Sequence, residues 1–135
     1  MTVKSFVDTN VALYTIGSDV RKKTIARNLI ALAPVVSTQV INECIAVCLR
    51  KFSFTRENAY QFAQELMSRT AVRSLTQDTV EKAAKVAIRY QLSHWDALIV
   101  ASALLADCDA LYSEDLQHGQ IFDDKLKAIN PFLSE

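Results

Sequence analysis

Short β-prone apolar runs alternate along this chain with longer stretches in which apolar residues recur at helical spacing, a pattern that predicts strands alternating with helices. The first run, Val3-Lys4-Ser5-Phe6-Val7, ends in Asp8 and passes through Thr9-Asn10 into Val11-Ala12-Leu13-Tyr14. We read a strand that delivers an acid at its carboxyl end, then a short helix to about Ile16 stopped by Gly17. Asp19 is placed to cap a helix over Val20 to Ala33 with Ile25, Leu29 and Leu32 on one face, and Pro34 ends it. Val35-Val36-Ser37 reads as a small buried strand. Thr38 then caps a helix to about Lys51 whose wide apolar arc, Val40, Cys44 and Val47 with Ile41, Ile45, Cys48 and Leu49 beside them, predicts cover on two sides. Glu43 sits one turn into it. Thr55 opens a further helix with Ala59, Phe62, Ala63 and Leu66 as its stripe, and the two helices predict an adjacent hairpin suited to self-association.

In the second half, Ala71 to Leu75 reads as a strand, and Thr76 caps a helix predicted to turn Val80, Ala83, Ala84, Ala87 and Ile88 inward. The stretch from Ser93 to Ala106 has almost no charge beyond its first turn and predicts a helix buried nearly all round against the sheet. Asp109 to Ser113 is a strand with Glu114-Asp115 at its carboxyl end. A polar turn with Gly119, a helical turn over Phe122 to Leu126 and a last strand at Lys127 to Ile129 complete the chain. Alternation of this kind predicts one α/β domain over residues 1–135, in three α/β/α layers around a short, mostly parallel, Rossmann-like sheet.

Composition narrows the chemistry. At 135 residues, half apolar and 22% charged, the chain can bury a core without a disulfide or structural metal. Cys44, Cys48 and Cys108 form no Cys-x-x-Cys pair and lie in apolar runs, which predicts buried, reduced thiols in a cytoplasmic protein. No basic-then-apolar leader and no run long enough to span a bilayer is present, so neither export nor membrane insertion is expected. Two histidines and two glycines leave no material for a serine or cysteine triad or for a glycine-rich phosphate loop. Fifteen basic residues balance fifteen acidic ones. That balance can conceal segregation: gathering four acids in one pocket leaves the rest of the surface basic, and metal ions can reverse the pocket's own charge toward a polyanion.

Four acids fall where a site could use them: Asp8 after the first strand, Glu43 on an apolar helix, Asp96 in the first turn of the buried helix and Asp115 after the fourth strand. Singly, three of them have plainer explanations. Asp8 can be a helix cap, Asp96 stands three after Ser93 in the capping-box position, and Asp115 can be loop surface. Glu43 is harder to dismiss, because burying a carboxylate without a partner costs several kcal/mol. Together, four converging anions would repel one another and need a cation. An all-oxygen donor set selects a hard ion, Mg²⁺ or Mn²⁺. The economical chemistry is phosphodiester hydrolysis, with Asp8, Asp96 and Asp115 as metal ligands and Glu43 binding metal or orienting water. Thr9, Asn10 and Ser113 are candidate donors behind the ligands.

Four pieces, Val7-Asp8-Thr9-Asn10-Val11, Asn42-Glu43, Trp95-Asp96-Ala97-Leu98-Ile99-Val100-Ala101-Ser102-Ala103 and Leu111-Tyr112-Ser113-Glu114-Asp115, come in the order found in the PIN domain family, and the chain resembles its VapC-like toxin ribonucleases. The resemblance implies a PIN-type fold and a catalytic quartet of Asp8, Glu43, Asp96 and Asp115, with Glu114 as a substitute ligand. It further implies a homodimer, an RNA substrate and a small VapB-like antitoxin partner. Two rivals stand beside this reading: a PIN nuclease acting on DNA or another structured nucleic acid, and a non-catalytic acidic α/β scaffold. A phosphatase or phosphotransfer receiver also gathers acids at strand ends, but the lysine expected after a late strand is missing.

Overall fold

The computed structural model describes residues 3–133. Five strands run parallel and a sixth closes one edge, in the order β3-β2-β1-β4-β6-β5, with six helices around them. β1 (Ser5–Val7) occupies the middle, paired in parallel with β2 (Val35–Ser37) on one side and β4 (Ala110–Tyr112) on the other. Its residues Phe6 and Val7 are fully buried. From β1 the chain moves outward through β2 to β3 (Ala71–Arg73), then returns past its start to β4. Right-handed crossovers therefore set α1 (Thr9–Tyr14), α2 (Val20–Ile30), α3 (Thr38–Arg50) and α4 (Arg56–Arg69) on one face. The same rule sets α5 (Gln77–Tyr90) and α6 (His94–Leu105) on the opposite face. The reversal of direction lies between β1 and β4, where open α/β sheets leave a crevice at the carboxyl ends of the strands.

Local chemistry explains most boundaries and corrects several predicted ones. Asp19, Thr55 and Ser93 cap α2, α4 and α6. On α3 the cap is Ser37, whose hydroxyl accepts from the Val40 N–H at 3.4 Å. Thr38, predicted for that role, instead accepts from the Leu75 N–H at 3.2 Å and ties β2 to the segment after β3. Gly17 does not end α1 by a left-handed turn. The helix tightens into i to i−3 bonds from Thr15, Ile16 and Gly17, and the Thr15 hydroxyl donates to the Ala12 carbonyl. α2 stops at Ile30 with Ala33 left-handed, which leaves Leu32 exposed rather than on the inner face.

α5 buries Thr79, Ala83 and Val86 against α6; of the predicted stripe Ala83 is buried and Ala87 packs partly buried on the core, while Val80 (50% exposed), Ala84 and Ile88 (76%) point outward. α6 is buried without interruption from Ala97 to Ala103, as its lack of charge predicts. The helical turn predicted at Phe122 to Leu126 is absent. Ile121–Phe122 is β5, and a three-residue turn carries it back antiparallel onto β6 (Leu126–Ile129). Asp123 and Asp124 both adopt positive φ there, a conformation aspartate tolerates better than most residues. Cys44, Cys48 and Cys108 are buried free thiols, and no described helix is long and apolar enough to cross a membrane.

Candidate active site

The crevice beyond β1 and β4 is built around Asp8. Its own N–H extends the β1–β4 ladder by donating to the Tyr112 carbonyl at 2.9 Å, and the side chain is only 5% exposed. One carboxylate oxygen accepts from the Thr9 N–H at 2.7 Å, so Asp8 does cap α1. The other accepts from the Ser113 hydroxyl at 2.8 Å. Ser113, 1% exposed, is held by its N–H on the Ile129 carbonyl at 3.0 Å, and its Oγ in turn accepts from the Asp115 N–H at 3.1 Å. One hydroxyl thus links the acids that end two neighbouring strands.

Glu43 reaches the same place from α3, where the Thr9 hydroxyl donates to its Oε1 at 2.8 Å. Asp96 enters from the first turn of α6, whose start is tied to α3 by Gln39 Nε2 donating to the Trp95 carbonyl at 3.3 Å. Asp115 is exposed beside Ser113. The electrostatics join all four. Burial, above all, pushes the Asp8 carboxyl from its ordinary 3.8 up to about 6; the Ser113 and Thr9 hydrogen bonds oppose this, and the charges of Asp115 and Glu43 add to it. Asp96 is also raised, first by burial and then by the charge of Asp115, against a hydrogen bond with Ser93.

No lysine or arginine among the described residues pairs with any of these four, although Asp107, Glu114 and Asp123 all have basic partners. Nor do three His, Cys, Asp or Glu side chains among the described residues close into a ready-made coordination cage. An all-carboxylate set of this kind fits Mg²⁺ or Mn²⁺. Mg²⁺ in particular keeps several of its waters and needs only one or two carboxylates, so a closed cage is not required. A buried donor without a partner, Asn10 Nδ2, stands next to the site, with Asn10 Oδ1 accepting from the Glu114 N–H at 3.4 Å.

Family comparison decides what kind of domain carries this crevice: the PIN domain model matches residues 5–121. The chain belongs to the PIN domain family. Solved structures with the same fold include a toxin–antitoxin complex from Klebsiella pneumoniae, at TM-score 0.73 and 16% identity over 96% of this chain and 98% of that one. VapBC2 from Rickettsia felis, bound to a DNA fragment from its promoter, matches at TM-score 0.70 and 15% identity over 93% and 98%. The sarcin-ricin loop cleaving toxin VapC20 from Mycobacterium tuberculosis matches at TM-score 0.67 and 21% identity over 83% and 90%. No curated protein matches the chain in sequence.

Glu114 is the one predicted site residue that this PIN domain turns away from the crevice. Tyr14 Oη donates to its Oε1 at 2.7 Å, and Lys22 Nζ pairs with its Oε2. Burial alone would push its carboxyl up, but the hydrogen bonds from Lys22 and Tyr14 outweigh that and hold it below the usual range. Its charge is already met by the Lys22 ammonium, so unlike Asp8 it is not an unpaired acid of the crevice. Sequence reasoning also overlooked Tyr14 and Gln39, since neither stands in a motif and each acquires its partner only through the fold.

Proposed function

We propose that this PIN domain is a divalent-metal-dependent endoribonuclease and the toxin of a toxin–antitoxin pair. The observation that carries the reading is the acid set at the switch point: among the described residues Asp8, Glu43, Asp96 and Asp115 feel one another's charge and have no basic partner, although Asp8 is buried and the adjacent Glu114 is paired with Lys22. In this reading Asp8, Asp96 and Asp115 hold Mg²⁺ or Mn²⁺, and Glu43 completes the set or orients the attacking water. The chemistry that a bound ion supplies is Lewis acidity, which acidifies water and offsets charge on the phosphodiester.

The chain's own part is orientation. Thr9 N–H and Ser113 Oγ fix the Asp8 carboxylate in one plane, and Thr9 Oγ1 holds Glu43 against it. Asn10 Nδ2 supplies a donor for a phosphate oxygen or water. Solved relatives of the same fold are toxins or toxin–antitoxin complexes, which favours RNA as substrate and a small VapB-like antitoxin as partner. A homodimer completes the proposal; the outward stripe of Val80, Ala84 and Ile88 on α5 is apolar surface that a second copy could cover. Sedimentation at two concentrations tests that assembly.

Activity is tested by stripping metal, then supplying Mg²⁺ or Mn²⁺ with matched structured RNA and DNA. The protein should cut RNA only with metal restored, and Asp8→Asn and Asp96→Asn should each remove cleavage while leaving the fold intact. Cleavage at the parent rate by either variant would sink the reading. Cleavage of DNA alone would transfer the chemistry to the other polynucleotide. No Mn²⁺ binding and no cleavage of either would leave an acidic scaffold.

A further inference from the structure

Outside the crevice, a polar cluster joins four separate parts of the chain. Lys22 from α2 pairs with Glu114 and donates to Tyr14 Oη at 3.1 Å, and Tyr14 from α1 donates to the other Glu114 oxygen. The Lys22 ammonium also lies 4.6 Å from the Tyr14 ring centre and 5.2 Å from that of Phe132. Those two rings meet edge-on at 4.9 Å, and Arg21 anchors the Phe132 carbonyl at 2.8 Å. An isolated surface ion pair contributes little, because two long side chains must be ordered in water. Here the Lys22 and Glu114 side chains are each only about a quarter exposed (26% and 28%), and aromatic rings confine the ammonium.

Position gives this cluster its consequence. Three successive residues take three settings: Ser113 donates to Asp8, Glu114 is held by Lys22 and Tyr14, and Asp115 is exposed but near enough for its charge to act on Asp8 and Asp96. The Asp115 side chain makes no hydrogen bond or ion pair of its own among the described residues, and its N–H rests on Ser113 Oγ. Its direction is therefore set by the anchors of the two residues before it. We propose that Lys22, Tyr14 and Glu114 are positioning residues that hold Asp115 toward the metal site, an inference resting on the metal-dependent reading above.

Lys22→Met separates this from simple charge effects. Removing a cation beside an acidic site should tighten Mn²⁺ if only net charge matters, whereas loss of positioning loosens it. We expect Lys22→Met to weaken Mn²⁺ binding about tenfold, within the range seen when groups behind metal ligands are removed. Lys22→Arg should restore most of the affinity. Combined with Asp115→Asn, Lys22→Met should cost no more than Asp115→Asn alone, because both act through one carboxylate. Tyr14→Phe, which keeps the ring, should show a smaller loss and serves if Lys22→Met fails to fold.

Affinity that is unchanged or tighter in a folded Lys22→Met protein would overturn the proposal. If the parent itself binds no Mn²⁺, the nuclease reading falls, and hydrogen exchange at the Asp115 amide in the metal-free protein decides this one. Faster exchange in Lys22→Met and Tyr14→Phe supports the anchor, and unchanged exchange refutes it.

Discussion

Asp8→Asn should stabilise the metal-free protein at pH 7.5, although it deletes a group made by the centre of the fold. In the folded state the Asp8 carboxyl is pushed up to about 6 from an ordinary 3.8. At about 1.36 kcal/mol per pH unit, keeping it ionised above pH 6 costs the fold about 3 kcal/mol. Below about pH 4 the group is protonated in both states and contributes nothing. Between about pH 4 and 6 the folded protein holds a proton that the unfolded chain has released, so stability falls as pH rises through this window. Asparagine carries no charge at any pH and escapes that cost. It still accepts from the Thr9 N–H, but the bond from the Ser113 hydroxyl must rearrange, at a cost of about 1 kcal/mol. The expected net gain is about 2 kcal/mol at pH 7.5, or on the order of 5–10 °C in Tm. Calorimetry or urea titration of both proteins in a chelator, from pH 4.5 to 8, measures it. The parent should lose stability with rising pH, and the variant should follow a flatter profile whose remaining slope includes Asp96, which burial also raises. Saturating Mg²⁺ should stabilise the parent and not Asp8→Asn. A variant less stable than the parent at pH 7.5, with parallel pH profiles, would refute the reasoning.

Four further substitutions test other joints. Ser113→Ala removes both the donor to Asp8 and the acceptor for the Asp115 N–H, so metal affinity should fall about 10–100-fold; isothermal titration with Mn²⁺ reads this directly. Tyr90→Phe deletes a hydroxyl that donates to Asp123 Oδ1 at 3.0 Å and accepts from the Asp123 N–H at 2.8 Å, and should cost about 1–3 kcal/mol in urea unfolding without altering metal binding. Leu111→Ala should cost about 2–5 kcal/mol, since Leu111 is fully buried in β4, while Ile88→Ala on the outer face of α5 should stay within about 0.5 kcal/mol in the monomer. Equal effects at those two positions would contradict the inward and outward assignment.

The alternation of strand and helix was legible wherever a local rule governs the chain. Asp19, Thr55 and Ser93 announce their helices because a short polar side chain before an apolar period has few other uses. The run from Ala97 to Ala103 is apolar on every side and could only be interior. Failures came where two local solutions were close in energy. Ser37 and Thr38 are both good caps, and the choice fell to Ser37 because Leu75 claims the Thr38 hydroxyl from across the sheet. α5 carries apolar residues on two adjoining stripes that share Ala83, and only the presence of α6 selects Val86 over Val80 and Ile88. The β5–β6 turn was misread because it uses Asp123 and Asp124 at positive φ where glycine would have been the signal.

At the crevice, Asp8, Glu43, Asp96 and Asp115 could be named because acids at strand ends and on apolar helices need a reason. What joins them could not. Thr9 holding Glu43 and Ser113 holding Asp8 are contacts across 34 and 105 residues, and Glu114 was drawn toward Lys22 rather than the crevice by a partner 92 residues away.

The separation between Asp8 and Ser113 has a consequence for synthesis. β1 is laid down first, yet its place at the centre of the sheet waits for β4, which emerges from the ribosome some 105 residues later. Until then Asp8 lacks the hydroxyl that orients it and the companion acid beyond it, so a stalled or truncated nascent chain carries no assembled crevice. Translation itself times the onset of whatever chemistry the finished domain performs.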